Sequence, residues 1–243
     1  MAVVERMIDI PTGVSLDVTM ITSNASSEDH IKLAVFAHPW SMLGGRKEDP
    51  VLHRLVTPFL QKGYRVVVFN SRGVGKSTKW PSLSSISEAE DLKAFVNVLV
   101  AETAASTGKS VTSVVLLGYS HGSIAVSHHP ASLKVAVESA IPVRHILLSY
   151  PLSPMPFLTA FYHNTHANKL KELISDVGGR VLVLYGDHDQ FTAEAKYDTW
   201  ATTLKDGSKG DLRVVKIPGA DHFWHGQANR QLQGAVSDWL NED

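Results

Sequence analysis

Ser120 lies within Gly118-Tyr119-Ser120-His121-Gly122, directly after the apolar run Val114-Val115-Leu116-Leu117. An apolar run closed by a turn signal reads as a buried strand. Glycines on both flanks of the serine suit a sharp strand-to-helix turn, where any side chain would crowd the reversing backbone. Such a turn projects the hydroxyl beyond the sheet edge. The backbone N–H of His121, opening the next helix, would face whatever Ser120 attacks. The chemistry this points to is nucleophilic attack by Ser120.

A serine hydroxyl is a poor nucleophile at neutral pH. An imidazole must take its proton and later return it to the leaving group. A carboxylate must hold the other ring nitrogen, fixing the tautomer and stabilising the imidazolium. Both types follow later strand-like runs. Gly186-Asp187-His188-Asp189 follows Val181–Tyr185 and offers two acids. His222 follows the run ending at Ile217 and precedes a helical pattern, with His225 as a competitor three residues on. Asp189 and His222 complete the chain order Ser, Asp, His, which is expected of one particular fold. Charge on the acyl oxygen needs donors. The His121 N–H is one, and the Trp40 N–H, in the loop after the third strand, is the expected second. Trp40, Met42, Met155, Phe157, Phe161, Tyr162 and Trp224 are apolar residues on loops at this face. Together with Tyr119 inside the turn, they suggest an apolar acyl or alcohol pocket.

The elements that must position these groups alternate between strand and helix. Residues 3–10 and 14–22 read as a hairpin about Pro11-Thr12-Gly13. Leu33–Ala37, Val66–Phe69, the run before Ser120, Ile146–Ser149, Val181–Tyr185 and Leu212–Ile217 complete about eight strands. Asp49-Pro50 opens a helix that Pro58 should kink or shorten. Ser87 with Glu90 reads as a capping box ahead of Leu92, Phe95, Val96 and Leu99. Residues 123–138 read as helix interrupted at Pro130, and 157–175 as weakly patterned helix. Tyr197, Trp200, Ala201 and Leu204, then Leu232, Val236, Trp239 and Leu240, mark the last two helices. Alternation of this kind predicts a single α/β domain over 1–243, with a mostly parallel sheet, helices on both faces and an antiparallel N-terminal hairpin. Ligands bind such sheets at the carboxyl ends of the strands, where all the polar clusters above fall.

Composition bounds the function. The chain has 243 residues, 44% of them hydrophobic and 19% charged, enough for a sizeable core. A net charge of −1 gives no footprint for nucleic acid or a membrane surface. There is no cysteine, so disulfides and thiolate metal sites are excluded. The first residues lack the apolar stretch of a secretory signal, and no run approaches the ~18 apolar residues of a span. A cytoplasmic protein is the expectation. Gly73-Val74-Gly75-Lys76-Ser77 has Asn70 where a phosphate loop needs its first glycine, so it reads as a structural loop whose Arg72 ties strand ends together. His128-His129, His163 with His166, and the groups around Asp189 and His222 lack a metal-ligand spacing, and no metal is expected.

Four segments carry a family resemblance. They are His38-Pro39 followed by Gly44-Gly45, Phe69-Asn70-Ser71-Arg72-Gly73-Val74-Gly75-Lys76-Ser77, Gly118 to Gly122, and Gly219-Ala220-Asp221-His222-Phe223. Over roughly residues 30 to 240 the chain resembles the α/β-hydrolases, and within them the small capless type. The resemblance implies Ser120 as nucleophile, Asp189 as acid through a Gly-x-x-Asp pattern, and His222 as base. It implies an open pocket without a full lid, no cofactor, and a small-molecule ester or thioester substrate cleaved through an acyl-serine. The same scaffold can run lyase or cyclisation chemistry with His222 as base. A non-enzymatic binding protein is the third class, opposed by the complete triad.

Overall fold

The computed structural model describes residues 1–23, 29–136, 139–153, 159 and 162–242. Among them nine strands form one sheet in the order β1-β2-β4-β3-β5-β7-β8-β9, with β6 paired to β7. Strands β1 (Ala2–Ile10) and β2 (Val14–Thr22) are the antiparallel hairpin. The parallel part comprises β3 (His30–Ala37), β4 (Tyr64–Phe69), β5 (Ser110–Tyr119), β7 (Ser139–Leu148), β8 (Arg180–Gly186) and β9 (Asp211–Ile217). The described helices are α1 (Pro50–Gln61), α2 (Ile86–Thr107), α3 (His121–Ser127), α4 (His163–Ser175), α5 (Glu194–Gly207) and α6 (Gln227–Leu240).

Two cores follow from the two-residue period of the strands. Leu33 and Val35 of β3, Val67 of β4 and Leu116 of β5 pack under α2, α3, α4 and α5. Their neighbours Ala34, Phe36, Val68 and Leu117 pack on the other face with α1 and α6. Strands buried on both faces need no polar alternation, which is why β3, β4, β5 and β8 read as apolar runs. Burial of one such Leu or Val is worth about 1.5–3 kcal/mol relative to exposure.

Four local expectations are corrected. The segment after α3 turns at Pro130 into a five-residue strand, β6 (Ser132–Ala136), antiparallel to β7. β7 therefore begins seven positions before the run that marked it, because its first half is exposed or mixed and carries Pro142. Helix α1 continues through Pro58 to Gln61. Proline there forfeits one hydrogen bond near the helix end, and its ring is buried against the core. The capping box does not form, since Ser87 lies inside α2 and Ser85 precedes it. The Glu88 carboxylate instead accepts from the Ser82 N–H at 2.6 Å and from the Ser82 hydroxyl, and the helix begins two residues earlier than the box implies. The fourth is Arg72, which pairs with Asp91 on α2 rather than tying strand ends.

Candidate active site

Every group of interest sits where a strand ends. Ser120 follows β5 with φ 52° and ψ −121°, left-handed backbone that a residue with a Cβ adopts at a cost of about 1–3 kcal/mol. Its N–H donates to the Leu148 carbonyl at 2.7 Å, which anchors the turn to β7. The two flanking glycines are required by close approach. A Cβ on Gly118 would lie 2.4 Å from the Ser123 Cα, and one on Gly122 2.3 Å from the Ala37 carbonyl oxygen. The helix therefore packs directly onto the end of β3.

His222, in the loop after β9, places Nε2 3.1 Å from the Ser120 Oγ. Its Nδ1 lies 2.7 Å from Asp189 Oδ2, in the loop after β8. These two contacts put the proton on Nδ1 and aim the Nε2 lone pair at the serine. The Asp189 side chain is fully buried, and its other oxygen accepts from the N–H groups of Phe191 at 2.8 Å and Thr192 at 3.0 Å. Backbone donors thus hold the carboxylate in place. The Tyr197 hydroxyl, 3.0 Å from the Tyr150 carbonyl oxygen and 3.4 Å from Asp189 Oδ2, closes its other side. Gln190 Oε1 accepts from the His222 N–H at 3.0 Å, coupling the acid and histidine loops. The competitors are committed elsewhere. Asp187 accepts from the Gly219 N–H at 2.6 Å, and His225 pairs with Asp221 at 2.6 Å on the exposed side.

The loop after β3 forms the opposite wall. The Trp40 carbonyl accepts from the Leu43 N–H at 3.1 Å and the Gly45 N–H at 3.0 Å, curling Ser41–Leu43 into a 3-10 turn. A Cβ on Gly45 would lie 2.1 Å from the Pro39 carbonyl oxygen, which explains the second glycine of the pair. His38 locks this loop to the end of β4. Its Nδ1–H donates to the Pro39 carbonyl at 2.7 Å, and its Nε2 accepts from the Ser71 N–H at 3.0 Å. Burial pushes His38 down to about 4, so it is neutral and structural. The His121 imidazole turns away from the serine, its Nε2 2.7 Å from the Ser85 hydroxyl.

A cavity of about 450 Å³ opens between these walls. Ser120, His222, Trp40, Tyr119, Leu43, Pro151, Phe191 and Phe223 line it. Phe191 and Phe223 stand edge-on to the His222 ring, with centroids 4.6 Å and 5.5 Å away. Of the residues expected on the wall, Tyr119 is there. Met42 lies in an adjoining groove. Trp224 is a correction. It is fully buried in the α1–α6 core, where its indole N–H donates to the Ser149 hydroxyl at 3.1 Å. An apolar aromatic in a loop gains more from that core than from a half-wet wall. Met155, Phe157 and Phe161 lie outside the described residues. Phe191 and Phe223 had a usable signal, since they follow Asp189 by two residues and His222 by one. Leu43 had none beyond its loop. Among the described residues no three His, Asp or Glu side chains converge as a metal site.

The alpha/beta hydrolase family profile matches residues 34–203. The chain belongs to that family. A solved structure from Xanthomonas campestris, a member of the α/β serine hydrolases without a lid, superposes with a TM-score of 0.71. It is 24% identical, with 99% of this chain and 94% of that one covered. The Pyrococcus furiosus esterase Pf2001 is similar at a TM-score of 0.71 and 16% identity, covering 99% and 91%. An uncharacterized protein of Schizosaccharomyces pombe is 24% identical over 218 residues, 87% of each chain. The fold is thus that of an α/β-hydrolase, with α4 as the helix described between β7 and β8. No helix among the described residues is long and apolar enough to cross a membrane.

Proposed function

We propose that this chain is a serine hydrolase that cleaves a carboxylic ester or thioester through an acyl-serine intermediate. The observation that carries the reading is the continuous line from Ser120 Oγ to His222 Nε2 at 3.1 Å and from His222 Nδ1 to Asp189 at 2.7 Å. His222 takes the serine proton as Oγ attacks the carbonyl carbon. The imidazolium is stabilised by Asp189 and then protonates the leaving oxygen or sulfur. Water, deprotonated by the same imidazole, releases the acid in the second half-reaction. The N–H groups of His121 and Trp40 are assigned to the oxyanion, each worth roughly 10²–10³ in rate. The aromatic enclosure of His222 favours a small neutral substrate. Nucleophile, base and donors are all protein groups, so the reading calls for no cofactor, nucleic acid or membrane. A cytoplasmic setting agrees with a chain that has no cysteine.

A phosphonate probe followed by peptide mass spectrometry tests the reading. Modification is expected on Ser120 of the folded protein. An unmodified Ser120, with a control esterase labelled in the same mixture, overturns it.

A further inference from the structure

The cavity that holds Ser120 carries a carboxylate that acyl transfer does not use. Asp49, the residue before α1, lines it together with Ser120 and Tyr119. The backbone of Asp49 is spent inside the fold. Its N–H donates to the Arg46 carbonyl at 3.0 Å, and its carbonyl accepts from the His53 N–H at 3.0 Å. Oδ1 caps α1, accepting from the Val51 N–H at 2.8 Å and the Leu52 N–H at 3.4 Å. Oδ2 accepts from no donor among the described residues. One polar atom of Asp49 is therefore left over, and the residue lies in the wall of the catalytic cavity.

Capping does not account for the charge. Asn and Ser cap a helix about as well as Asp with a single acceptor oxygen, and the dipole of α1 adds only a modest preference for an anion. The surroundings oppose it. Trp40, Tyr119, Phe191 and Phe223 line the same cavity, and burial pushes the Asp49 carboxyl above the usual aspartate range. The bonds from Val51 and Leu52, with Arg54 and His53 nearby, act the other way. A half-buried carboxylate oxygen without a donor costs free energy that a bound donor recovers. The Tyr119 hydroxyl is not that donor, since it is held by the His222 carbonyl at 2.8 Å. Ser153 is the other polar side chain of the wall that the reaction leaves unused.

We infer that Asp49 is a specificity-determining residue, which accepts a hydrogen bond from a hydroxyl carried by the ester substrate and turns away anionic substrates. The inference rests on the acyl-serine reading above. An ionised carboxylate can only accept, so its partner must donate. A few placed polar groups in an aromatic cavity are the usual means of orienting a small ligand. A carboxylate or phosphate on the substrate would share about 450 Å³ with Asp49, and no Lys or Arg is among the lining residues to offset it. An ammonium would share the same space with the imidazolium that forms on His222 during attack, and like charge opposes that step. A neutral hydroxyl meets both demands.

The test compares ratios of kcat/KM within each protein, so that a general loss of activity cancels. One series of acetates varies the alcohol as 4-methylphenyl, 4-hydroxyphenyl, 4-carboxyphenyl and 4-(aminomethyl)phenyl. A series of p-nitrophenyl esters varies the acyl group as butyrate, 3-hydroxybutyrate and hemisuccinate. The proteins are the full chain and its Asp49→Asn, Asp49→Ser and Ser153→Ala variants. Asn and Ser keep the cap of α1, and thermal unfolding verifies the fold of each. In at least one series the wild-type chain should prefer the hydroxyl ester to its plain partner by about tenfold, mainly through KM, with the anionic ester poorest. Asp49→Ser should bring the hydroxyl ratio close to unity, and Asp49→Asn should raise the relative rate of the anionic ester about tenfold. The series that responds names the half of the substrate lying against Asp49. The assignment is overturned by no hydroxyl preference in either series, or by a preference kept in Asp49→Ser or lost in Ser153→Ala. An anionic ester indifferent to Asp49→Asn, or an amino ester better than the hydroxyl one, also overturns it. In those cases turnover of p-nitrophenyl butyrate and labelling of Ser120 leave the serine-hydrolase reading standing. A folded chain with neither turnover nor labelling overturns the two readings together.

Discussion

The Tyr119 hydroxyl donates to the backbone carbonyl of His222 at 2.8 Å, across 103 residues of chain. One bond therefore links the serine turn directly to the histidine loop. Tyr119 is buried, and desolvation, followed by the nearby carboxylates Asp49, Asp189 and Asp221, pushes its hydroxyl well above the usual tyrosine range. It is a permanent donor. The Ser–His separation is thus set by the neighbour of the serine as well as by the sheet.

Tyr119→Phe should test this link. The substitution leaves the His222 carbonyl without its donor and should cost about 1–3 kcal/mol of stability. kcat should fall several-fold, because the imidazole is no longer held against the serine. Urea unfolding and p-nitrophenyl acetate kinetics on the same preparation check both. A variant that loses stability with unchanged kcat would show that the sheet alone sets the distance.

Ser120→Ala separates acyl-enzyme chemistry from base chemistry on the same scaffold. Hydrolysis should fall about 10⁴–10⁶-fold. A reaction driven by His222 as a simple base would survive. Asp189→Asn should leave the fold intact and lower kcat by about 10⁴, since an amide favours the wrong imidazole tautomer. Ser120→Gly adds a stability readout. Glycine adopts the φ 52° conformation without strain, so the inactive variant should be about 1 kcal/mol more stable. Thermal unfolding of the three variants beside the wild type checks the set.

The sheet was legible because its strands are buried on both faces, so Leu33–Ala37, Val66–Phe69 and Val181–Tyr185 stand out as apolar runs. The short strand β6 was not, because it pairs at the rim and Pro130 and Pro142 obscure its ends. Ser120, Asp189 and His222 were visible in chain order, since each follows such a run. Their supports were not. Tyr197 looked like one face of a helix, and only the packed structure shows its hydroxyl beside Asp189. The meeting of His128 Nε2 with His166 Nδ1 at 2.7 Å was equally hidden, because nothing local links positions 38 apart. Wall residues fared worst. Loop aromatics such as Trp224 and Phe223 have similar sequence surroundings, yet one fills the core and the other faces the cavity.

Lys47 and Asp17 form a buried ion pair at 2.6 Å, with side chains 4% and 9% exposed. Asp17 also accepts from Asn70 Nδ2 at 3.0 Å, and Asn70 Oδ1 accepts from the Lys47 N–H at 2.9 Å. The cluster pins the loop carrying Gly44-Gly45 to β2 and the end of β4. Lys47→Met strands a buried carboxylate and should destabilise the fold by about 3–5 kcal/mol. Lys47→Met with Asp17→Leu removes both charges and should recover much of that loss. Chemical denaturation of single and double variants measures the coupling. Equal stability of single and double variants would mean that the pair is not the element holding the loop.

Acid should unfold this protein early. Burial holds His38 and His129 at about 4, and His128 and His145 at about 3. Neighbouring imidazoles push the last two down further. Each is neutral in the folded chain and ordinary, near 6.5, in the unfolded one. The unfolded state therefore binds more protons between those values, and stability falls as pH drops from about 6.5 towards 4. Above about pH 8 this dependence is absent, because both states are neutral at these sites. Near pH 5 the four sites give a difference of nearly four protons, a slope of about 5 kcal/mol per pH unit. Urea midpoints between pH 9 and 4.5 should show a flat region above about pH 8 and then a steepening fall. His145→Leu should make that fall shallower, since it removes one titrating site. An unchanged slope in this variant would assign the acid sensitivity to the carboxylates instead.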